Sequence, residues 1–299
     1  MPMEPEKIPE EEMLLPDTPE EEKPAKKKRS PVYSILLGFF ILVFLFSAVM
    51  VVRYIVGSRR AAQEYDELAG ILESVQNEQK EENDDSSENA SPDGPSQEQG
   101  NSGILPEYAP FYEMNSDMIG WISIPNTVIN YPVMQTPEQP NYYLKRNFYK
   151  KGSDWGAIYA REECDVFAPS DNVVLYGHRM NDGSMFASLY NFASKAYWQE
   201  NQTFTFDTLY EHHTYRVWAV FKTSAIVGKG FSYHTFNDAQ NMEEFDQFVE
   251  DVREIAFYDT GIVPTYGDKL LTLSTCEYTL NQGRFVVCAV RVDAPWEME

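Results

Sequence analysis

The chain has 299 residues, a length that allows one large domain with appendages or two domains. Hydrophobic residues make up 43% of it, which excludes a chain that is disordered throughout. Lys and Arg number 24 against 47 Asp and Glu, and a net charge of −23 argues against a nucleic-acid-binding protein. With three Cys, no CxxC pair and no HExxH motif, we expect no disulfide scaffold, no metal site and no other cofactor.

An uncharged segment near the N-terminus predicts a membrane anchor. Residues 32–52 carry no charge, and a hydrocarbon core about 30 Å thick needs about 20 helical residues. The basic run from Lys26 to Arg29 precedes this segment, and such runs favour the cytoplasmic side, so we expect the N-terminus inside and the remainder outside the cell. A cleaved signal peptide is the alternative, but its apolar region would span only about 7–15 residues.

The segment after the anchor changes character twice. Tyr65, Leu68 and Leu72 recur at helical spacing and predict a short amphipathic helix over 61–79. From Glu78 to Gly103 small, polar and acidic residues predominate, and this composition predicts a flexible acidic tether. The predicted organisation is a cytoplasmic tail (1–31), a transmembrane anchor (32–56), a helical stalk with an acidic flexible linker (57–104) and an extracellular domain (105–299).

The C-terminal part is rich in aromatic and β-branched residues that are broken by short turn signals. This pattern predicts a mainly β fold, a barrel or a sandwich, with a few peripheral helices. The predicted strands are 121–125, 128–133, 172–176, 203–208, 214–222, 269–274 and 284–292. Two helices are predicted, a short one over 184–192 and a longer one over 237–255 that Asn237 or Asp238 would cap.

Polar residues capable of catalysis stand at the ends of three predicted strands. Cys276 ends one strand, and Arg284 opens the next after a turn, so a hairpin would bring them together. His178 follows Gly177 at the end of another strand. A thiol becomes a useful nucleophile beside a base, which His178 could supply, and His178 could also protonate a leaving amine.

The same hairpin offers donors for a developing negative charge. Arg284 has fixed guanidinium N–H groups that could bind an oxyanion, and the backbone N–H of Glu277 would be a second donor. Taken residue by residue, the commoner interpretations are a buried core Cys, a structural His and a solvated Arg. Spacing alone therefore favours catalysis weakly.

A longer motif strengthens the catalytic interpretation. The run Thr272-Leu-Ser-Thr-Cys276, the Arg eight residues later and the upstream Gly177-His178 pair resemble the sortases, membrane-anchored cysteine transpeptidases of Gram-positive bacteria. Ser274 within the motif, the segment Asp182-Gly-Ser-Met-Phe186 and the long helix before the Cys strand are most similar to class B. The resemblance covers about residues 105–295 and implies an eight-stranded β-barrel.

The resemblance also implies roles for the four central residues. Cys276 would attack the Thr carbonyl of a C-terminal sorting signal on a surface protein and form a thioester. His178 would act as general acid and then as general base. Arg284 and the amide of Glu277 would hold the oxyanion and the substrate backbone. The amine of a lipid-linked peptidoglycan precursor would then resolve the thioester.

Other polar residues and the remaining Cys residues lie outside this group of four. Ser274 shares a strand face with Cys276, so it could contact substrate or simply pack in the strand. The class B resemblance suggests that Tyr258 lines the peptide groove. Cys288 is interpreted as a buried core thiol, and a Cys164–Cys288 disulfide stays open. The pair His212-His213 is interpreted as part of a solvated turn.

Three alternatives remain from the sequence. The first is a pilus-polymerising sortase, in which a pilin Lys would be the resolving amine. The second is a non-catalytic extracellular binding domain on the same barrel. The third is a cysteine protease that uses water alone. Transfer to an added amine, and loss of cleavage in Cys276→Ala, would separate a transpeptidase from the other two classes.

Overall fold

The structure is a computed structural model that describes residues 31–87 and 103–292. The chain divides into two units, Met1–Val52 and Arg53–Glu299. Residues 1–30 of the predicted tail (1–31), residues 88–102 of the predicted linker and residues 293–299 lie outside the described residues, as do the side chains of 82–87.

The described part of the first unit is the start of helix α1 (Pro31–Ser87). Its apolar side chains are exposed; Phe40 and Leu42, for example, are 63% and 68% exposed. Among the described residues α1 is the one helix that is long and apolar enough to cross a membrane. These properties fit the predicted anchor over 32–56.

In the second unit, α1 continues farther than the sequence predicted. The helix runs to Ser87, so the predicted end at Gln79 is too early, because Glu, Gln and Lys in this stretch are good helix formers. Tyr65 is 5% exposed and Leu68 is fully buried, and both belong to one hydrophobic core with the barrel residues. This part of the predicted stalk therefore packs as part of the folded unit.

Eight strands form a closed barrel, as the sortase resemblance implied. The strand order around the barrel is β1-β2-β3-β4-β7-β8-β6-β5. Neighbours are antiparallel except for β2 with β3 and β4 with β7, which are parallel. The strands are β1 (Met118–Ser123), β2 (Asn130–Met134), β3 (Ile158–Ala160), β4 (Asn172–Tyr176), β5 (Thr203–Thr208), β6 (Thr214–Ser224), β7 (Leu270–Glu277) and β8 (Gly283–Val292).

The predicted strands are confirmed with small shifts of their ends, and one strand escaped prediction. The bounds of β4 and β5 match the prediction. Strand β3, Ile158–Ala160, was missed because three residues are too few for an alternating pattern to appear. All three of its residues are buried, so alternation is absent as well.

The helices around the barrel are shorter than predicted or were not predicted. The segment predicted as a helix over 184–192 is a 3₁₀ helix, Phe186–Ala193. Two helices of six residues each were missed, α2 (Ala109–Met114) and α3 (Lys195–Glu200). Two further 3₁₀ turns occupy Tyr142–Lys145 and Tyr233–Thr235.

The longest peripheral helix, α4 (Met242–Ile255), begins later than predicted. Its N-cap is Asn241, whose side chain accepts a hydrogen bond from the Glu244 backbone N–H at 3.0 Å. The predicted caps have other partners: the Asn237 carbonyl accepts from Asn172 N–H, and the Asp238 carboxylate accepts from Ser170 and Asp171. These contacts hold residues 237–238 against the start of β4.

Replacing Asn241 with Ala should destabilise the protein by about 1 kcal/mol, because the first turn of α4 loses its side-chain cap. Chemical denaturation in detergent micelles measures the change. The neighbouring Gln240→Ala is the control, since Gln240 is exposed and its backbone N–H keeps its bond to Glu244. Equal unfolding free energies for Asn241→Ala and the wild type would contradict this capping role.

Candidate active site

The parallel pairing of β4 with β7 places the candidate residues at one barrel edge. Tyr176 at the end of β4 lies opposite Ser274 in β7, and both strands run toward the same edge. The antiparallel β8 starts there, with Arg284 opposite Cys276. His178 follows β4 by two residues, so three elements deliver His178, Cys276 and Arg284 to the same region.

Short hydrogen bonds tie the two parallel strand ends together beyond the regular ladder. Gly177 N–H donates to the Ser274 carbonyl at 3.1 Å, and the Thr275 hydroxyl donates to the Gly177 carbonyl at 2.8 Å. A Cβ on Gly177 would lie 2.6 Å from side-chain atoms of Ile158 and Phe186, so a larger residue would not fit. This explains why a Gly precedes His178.

The three candidate catalytic residues line one cleft of about 340 Å³, together with Ser274. Its further lining residues come from several loops and strands: Asn141, Leu144, Tyr159, Arg161, Glu162, Tyr176, Gly177, Ala225, Tyr233, His234 and Thr275. Gly177 and Thr275 belong to the sequence motif, whereas loop residues such as Asn141, Leu144 and Ala225 carry no periodic or motif signal, because long-range packing brings them to the cleft.

The His178 ring is held by a backbone carbonyl. Its Nε2 lies 2.7 Å from the Leu144 carbonyl oxygen, which can only accept, so Nε2 carries the proton and Nδ1 is the nitrogen that gains or loses one. Desolvation by burial lowers the pKa of His178 and the positive Lys145 lowers it further, against an opposing effect of the Leu144 bond. A neutral imidazole with a free Nδ1 lone pair is thus favoured at neutral pH.

Arg284 is partly buried and is not neutralised by a carboxylate. One guanidinium N–H donates to the Gly283 carbonyl at 3.0 Å. Within residues 31–87 and 103–292, no Asp or Glu forms a salt bridge with it. The positive charge of Arg284 is therefore available to a negative group that develops in the cleft.

Ser274 has a partner that sequence reasoning did not identify. Its hydroxyl and the Tyr233 hydroxyl lie 2.6 Å apart, and both side chains are buried. Tyr233 belongs to the 3₁₀ turn Tyr233–Thr235, between β6 and α4. The pair lines the wall of the cleft near Cys276.

The side chain of Glu277 points away from the cleft and fastens the β7–β8 loop. Its buried carboxylate accepts from Lys222 Nζ at 3.1 Å and from the backbone N–H groups of Thr279 and Leu280 at 2.8 and 3.0 Å. Burial acts to raise the pKa of Glu277, but these hydrogen bonds and the charge of Lys222 outweigh it and lower the pKa to about 2. The ionised carboxylate of Glu277 thus fixes the loop that joins Cys276 to Arg284.

A second contact joins the loop after His178 to the loop after Cys276. The Tyr278 hydroxyl donates to the Arg179 carbonyl at 3.1 Å. The Arg179 guanidinium lies 4.2 Å from the ring centroid of Tyr190, a cation–π distance. The residue after His178 and the second residue after Cys276 are therefore linked by a hydrogen bond.

Tyr258 lies away from this cleft. Its hydroxyl donates to the Phe192 carbonyl at 2.7 Å, and it lines a separate surface cleft with Trp218 and Glu250. Its ring packs on Trp198 at 5.9 Å between centroids. The structure thus does not bring Tyr258 together with the other predicted site residues.

The other two Cys are free and buried. Cys288 is 1% exposed, which confirms a core thiol, and Cys164 is 4% exposed. Burial raises the pKa of Cys164 to about 11 and that of Cys288 to about 12, so both thiols are protonated at neutral pH. Cys276, which is partly exposed, is the one Cys that lines the cleft.

The pair His212-His213 lies in the connection between β5 and β6. His212 Nδ1 lies 2.8 Å from Asp207 and its Nε2 lies 3.2 Å from Glu107. His212 is therefore more tightly engaged than a solvated turn residue.

A thiol, an imidazole and an unneutralised guanidinium in one cleft are the groups that a cysteine acyl-transferase needs. The Sortase domain family model matches residues 122–292, more than half of the chain. The chain belongs to the sortase family. It is a cysteine transpeptidase of the class B-like type that the sequence motif predicted.

Known relatives agree with this assignment. Sortase B of Listeria monocytogenes is 27% identical over 189 residues, which cover 62% of this chain and 74% of the relative. Sortase B of Staphylococcus aureus is 26% identical over 188 residues, with coverages of 62% and 75%.

Solved structures share the fold. The crystal structure of Bacillus anthracis sortase B in complex with AAEK1 has a TM-score of 0.62 and 29% identity, and the match covers 80% of this chain and 100% of that one. A Staphylococcus aureus sortase B–substrate complex has a TM-score of 0.66 at 21% identity, with coverages of 79% and 98%, and supports the fold alone.

Glu277 should contribute stability that depends on pH. Its folded-state pKa of about 2 is below the ordinary 4.5, so its stabilisation is present above pH 4.5 and is lost as the pH falls toward 2. Glu277→Gln should therefore unfold more easily than the wild type at pH 7, and the gap should narrow in acid. Denaturation at several pH values, with the exposed Glu138→Gln as control, measures this. If the difference in unfolding free energy between the wild type and Glu277→Gln did not change with pH, the stabilising role of the ionised Glu277 carboxylate would be contradicted.

Proposed function

We propose that this sortase cleaves a C-terminal sorting signal after a Thr residue and transfers the surface protein to an amine of a lipid-linked peptidoglycan precursor. The observation that carries the proposal is the meeting of Cys276, His178 and Arg284 in one cleft, at the positions of the sortase-like motif. The family membership supplies the acyl-transfer chemistry. The substrate and acceptor classes are inferred from the class B resemblance.

In the first half-reaction the Cys276 thiol gives its proton to His178 Nδ1 and the sulfur attacks the Thr carbonyl carbon. Negative charge develops on the carbonyl oxygen, where Arg284 and the backbone N–H of Glu277 act as donors. The C–N bond breaks, His178 returns the proton to the leaving amine, and a thioester remains on Cys276. The neutral resting state of His178 suits it to accept that first proton.

In the second half-reaction the incoming amine attacks the thioester carbonyl. His178 Nδ1 removes the amine proton and delivers it to the departing Cys276 sulfur, so the enzyme returns to its starting state. Ser274, held by the Tyr233 hydroxyl on the cleft wall, is proposed to contact the bound peptide. No substrate contact is proposed for Tyr258, whose hydroxyl bonds to the Phe192 carbonyl.

We infer that residues 32–56 anchor the enzyme in the cell membrane with the N-terminus in the cytoplasm and the barrel outside. The apolar length of the segment and the basic run at 26–29 support this orientation. A membrane-bound enzyme would share one surface with its lipid-linked acceptor and with a cargo that is still attached to the membrane. Their confinement raises the effective concentration of the amine relative to water.

The central test uses the full chain in detergent micelles with a set of fluorogenic peptides that share a Thr before the scissile bond. Wild-type protein should cleave at least one peptide and, with an added primary amine, form the transfer product. Cys276→Ala should lose both activities because no thioester can form, whereas Cys164→Ala, which removes a buried thiol outside the cleft, should retain them. Mass spectrometry detects the thioester and the product.

The outcomes of this test are distinct. Equal cleavage by Cys276→Ala and the wild type would reject the proposed nucleophile. Cleavage that depends on Cys276 but gives hydrolysis alone at saturating amine would indicate a protease instead of a transpeptidase.

Replacing Arg284 with Lys should lower kcat/KM by about 100-fold, because a single ammonium cannot reproduce the guanidinium donors at the oxyanion. The measurement is steady-state peptide cleavage. Arg253→Lys on the outer helix α4 is the matched control, since Arg253 pairs with Glu250 on the surface. Near-normal turnover by Arg284→Lys would contradict the role proposed for this residue.

A further inference from the structure

The Asp182-Gly-Ser-Met-Phe186 segment has conspicuous contacts that the proposed mechanism does not use. Asp182 lies four residues after His178, in a loop closed by a bond from Phe186 N–H to the His178 carbonyl at 2.9 Å. Asp182 Oδ2 accepts hydrogen bonds from the Ser58 hydroxyl at 2.7 Å and from the Trp155 indole N–H at 2.8 Å. Ser58 belongs to helix α1, so α1 contacts the loop that carries the candidate base.

The pKa of Asp182 agrees with an ionised acceptor at this junction. Desolvation by burial acts to raise it, but bonds from Ser184, Ser58 and Trp155 together hold it below its ordinary value. Helix α1 also approaches Trp155 closely at Gly57. A Cβ on Gly57 would lie only 2.7 Å from the Trp155 ring. One turn of α1 therefore fits against Trp155 and Asp182 together.

A second contact from α1 is buried. The Tyr65 hydroxyl donates to the Gly156 carbonyl at 2.7 Å, and the Tyr65 side chain is 5% exposed. The Tyr65 ring meets the Tyr131 ring edge-on at 5.0 Å. The Tyr131 hydroxyl in turn accepts from Met185 N–H at 3.2 Å, inside the loop after His178.

The segment around Gly156, whose carbonyl accepts the hydrogen bond from Tyr65, also supports the His178 ring. Ala157 N–H donates to the Tyr143 carbonyl at 3.1 Å, so residues 156–157 pack on the 3₁₀ turn that presents the Leu144 carbonyl. Gly156 has a φ of +62°, and a Cβ there would lie 2.8 Å from the Leu144 oxygen and 3.2 Å from His178 Cδ2. The contact is close enough for a shift of this segment to reach the imidazole.

We propose that residues 57–65 of α1 position His178, because Ser58 contacts the loop that follows His178 and Tyr65 contacts the segment that supports its ring. Ser58, Tyr65, Trp155 and Asp182 are positioning residues that do not contact the reacting atoms. The inference rests on the proposed function in one respect, namely that His178 is the proton carrier. It implies that the barrel domain over 105–292 is an incomplete catalytic unit without α1.

The size of the expected effect follows from the contacts that are removed. Tyr65→Phe keeps the packed ring and deletes one buried hydrogen bond, and Ser58→Ala deletes one bond to Asp182. Each loss should lower kcat about three- to tenfold with little change in KM. Because the Leu144 bond acts to raise the pKa of His178, a looser contact should also move the acidic limb of the pH–kcat profile to lower pH.

The test uses the full chain in detergent micelles and two matched controls. Tyr108→Phe removes another buried tyrosine hydroxyl, whose bond is to Asp207 in β5, and Ser74→Ala removes an exposed serine from the same helix. Hydrogen–deuterium exchange is followed in residues 153–157 and 178–186. Tyr65→Phe and Ser58→Ala should speed exchange in both segments and lower kcat, whereas the controls should change neither.

Two readouts separate this inference from the proposed function. Unchanged exchange and unchanged kcat in the Ser58→Ala, Tyr65→Phe double variant would overturn the positioning role while leaving the transpeptidase intact. The positioning role would also be overturned if Tyr108→Phe slowed turnover and shifted the pH profile as much as Tyr65→Phe. If the wild type cleaves no peptide, the proposed function fails, and the exchange measurement still decides whether α1 supports the His178 segments. Ser58 is partly exposed, so Ser58→Ala tests the idea without risk to folding.

Discussion

The parallel pairing of β4 with β7 is the constraint on which the rest of the site depends. Parallel strands end at the same edge of a sheet, and the register of Tyr176 with Ser274 fixes how far each candidate residue projects beyond that edge. The antiparallel pairing of β7 with β8 in turn places Arg284 opposite Cys276. A slip of one residue between β4 and β7 would turn the side chains of β7 to the opposite face and separate the thiol from the imidazole.

The two charged residues next to the nucleophile, Arg284 and Glu277, have different electrostatic environments. Arg284 has no carboxylate partner within the described parts of the chain, whereas the carboxylate of Glu277, next to the nucleophile, is occupied by Lys222 and by the backbone of its own loop. A free acidic side chain beside Cys276 would oppose thiolate formation. The charge of Glu277 is paired with Lys222, whereas the guanidinium of Arg284 stays free of a salt bridge to a described carboxylate.

Much of this architecture was predictable, because strong local signals carry it. The alternating and apolar strands β4 and β5 and the Cys motif of β7 were readable in the sequence, and the barrel followed from the family resemblance. Residues such as Tyr233 and Leu144 were not predictable, since they reach the cleft by long-range packing that leaves no periodic trace. The packing of α1 against the barrel was not predictable, because Tyr65 and Leu68 have the same spacing in a free stalk and in a packed helix.

The bond from His178 Nε2 to the Leu144 carbonyl has a kinetic consequence under the proposed mechanism. With Nε2 committed to the backbone, the imidazole exchanges protons through Nδ1 alone, both with the leaving amine and with the acceptor amine. The leaving amine and the acceptor amine must therefore occupy the same position beside Nδ1. The leaving amine must therefore depart before the acceptor amine can reach the thioester.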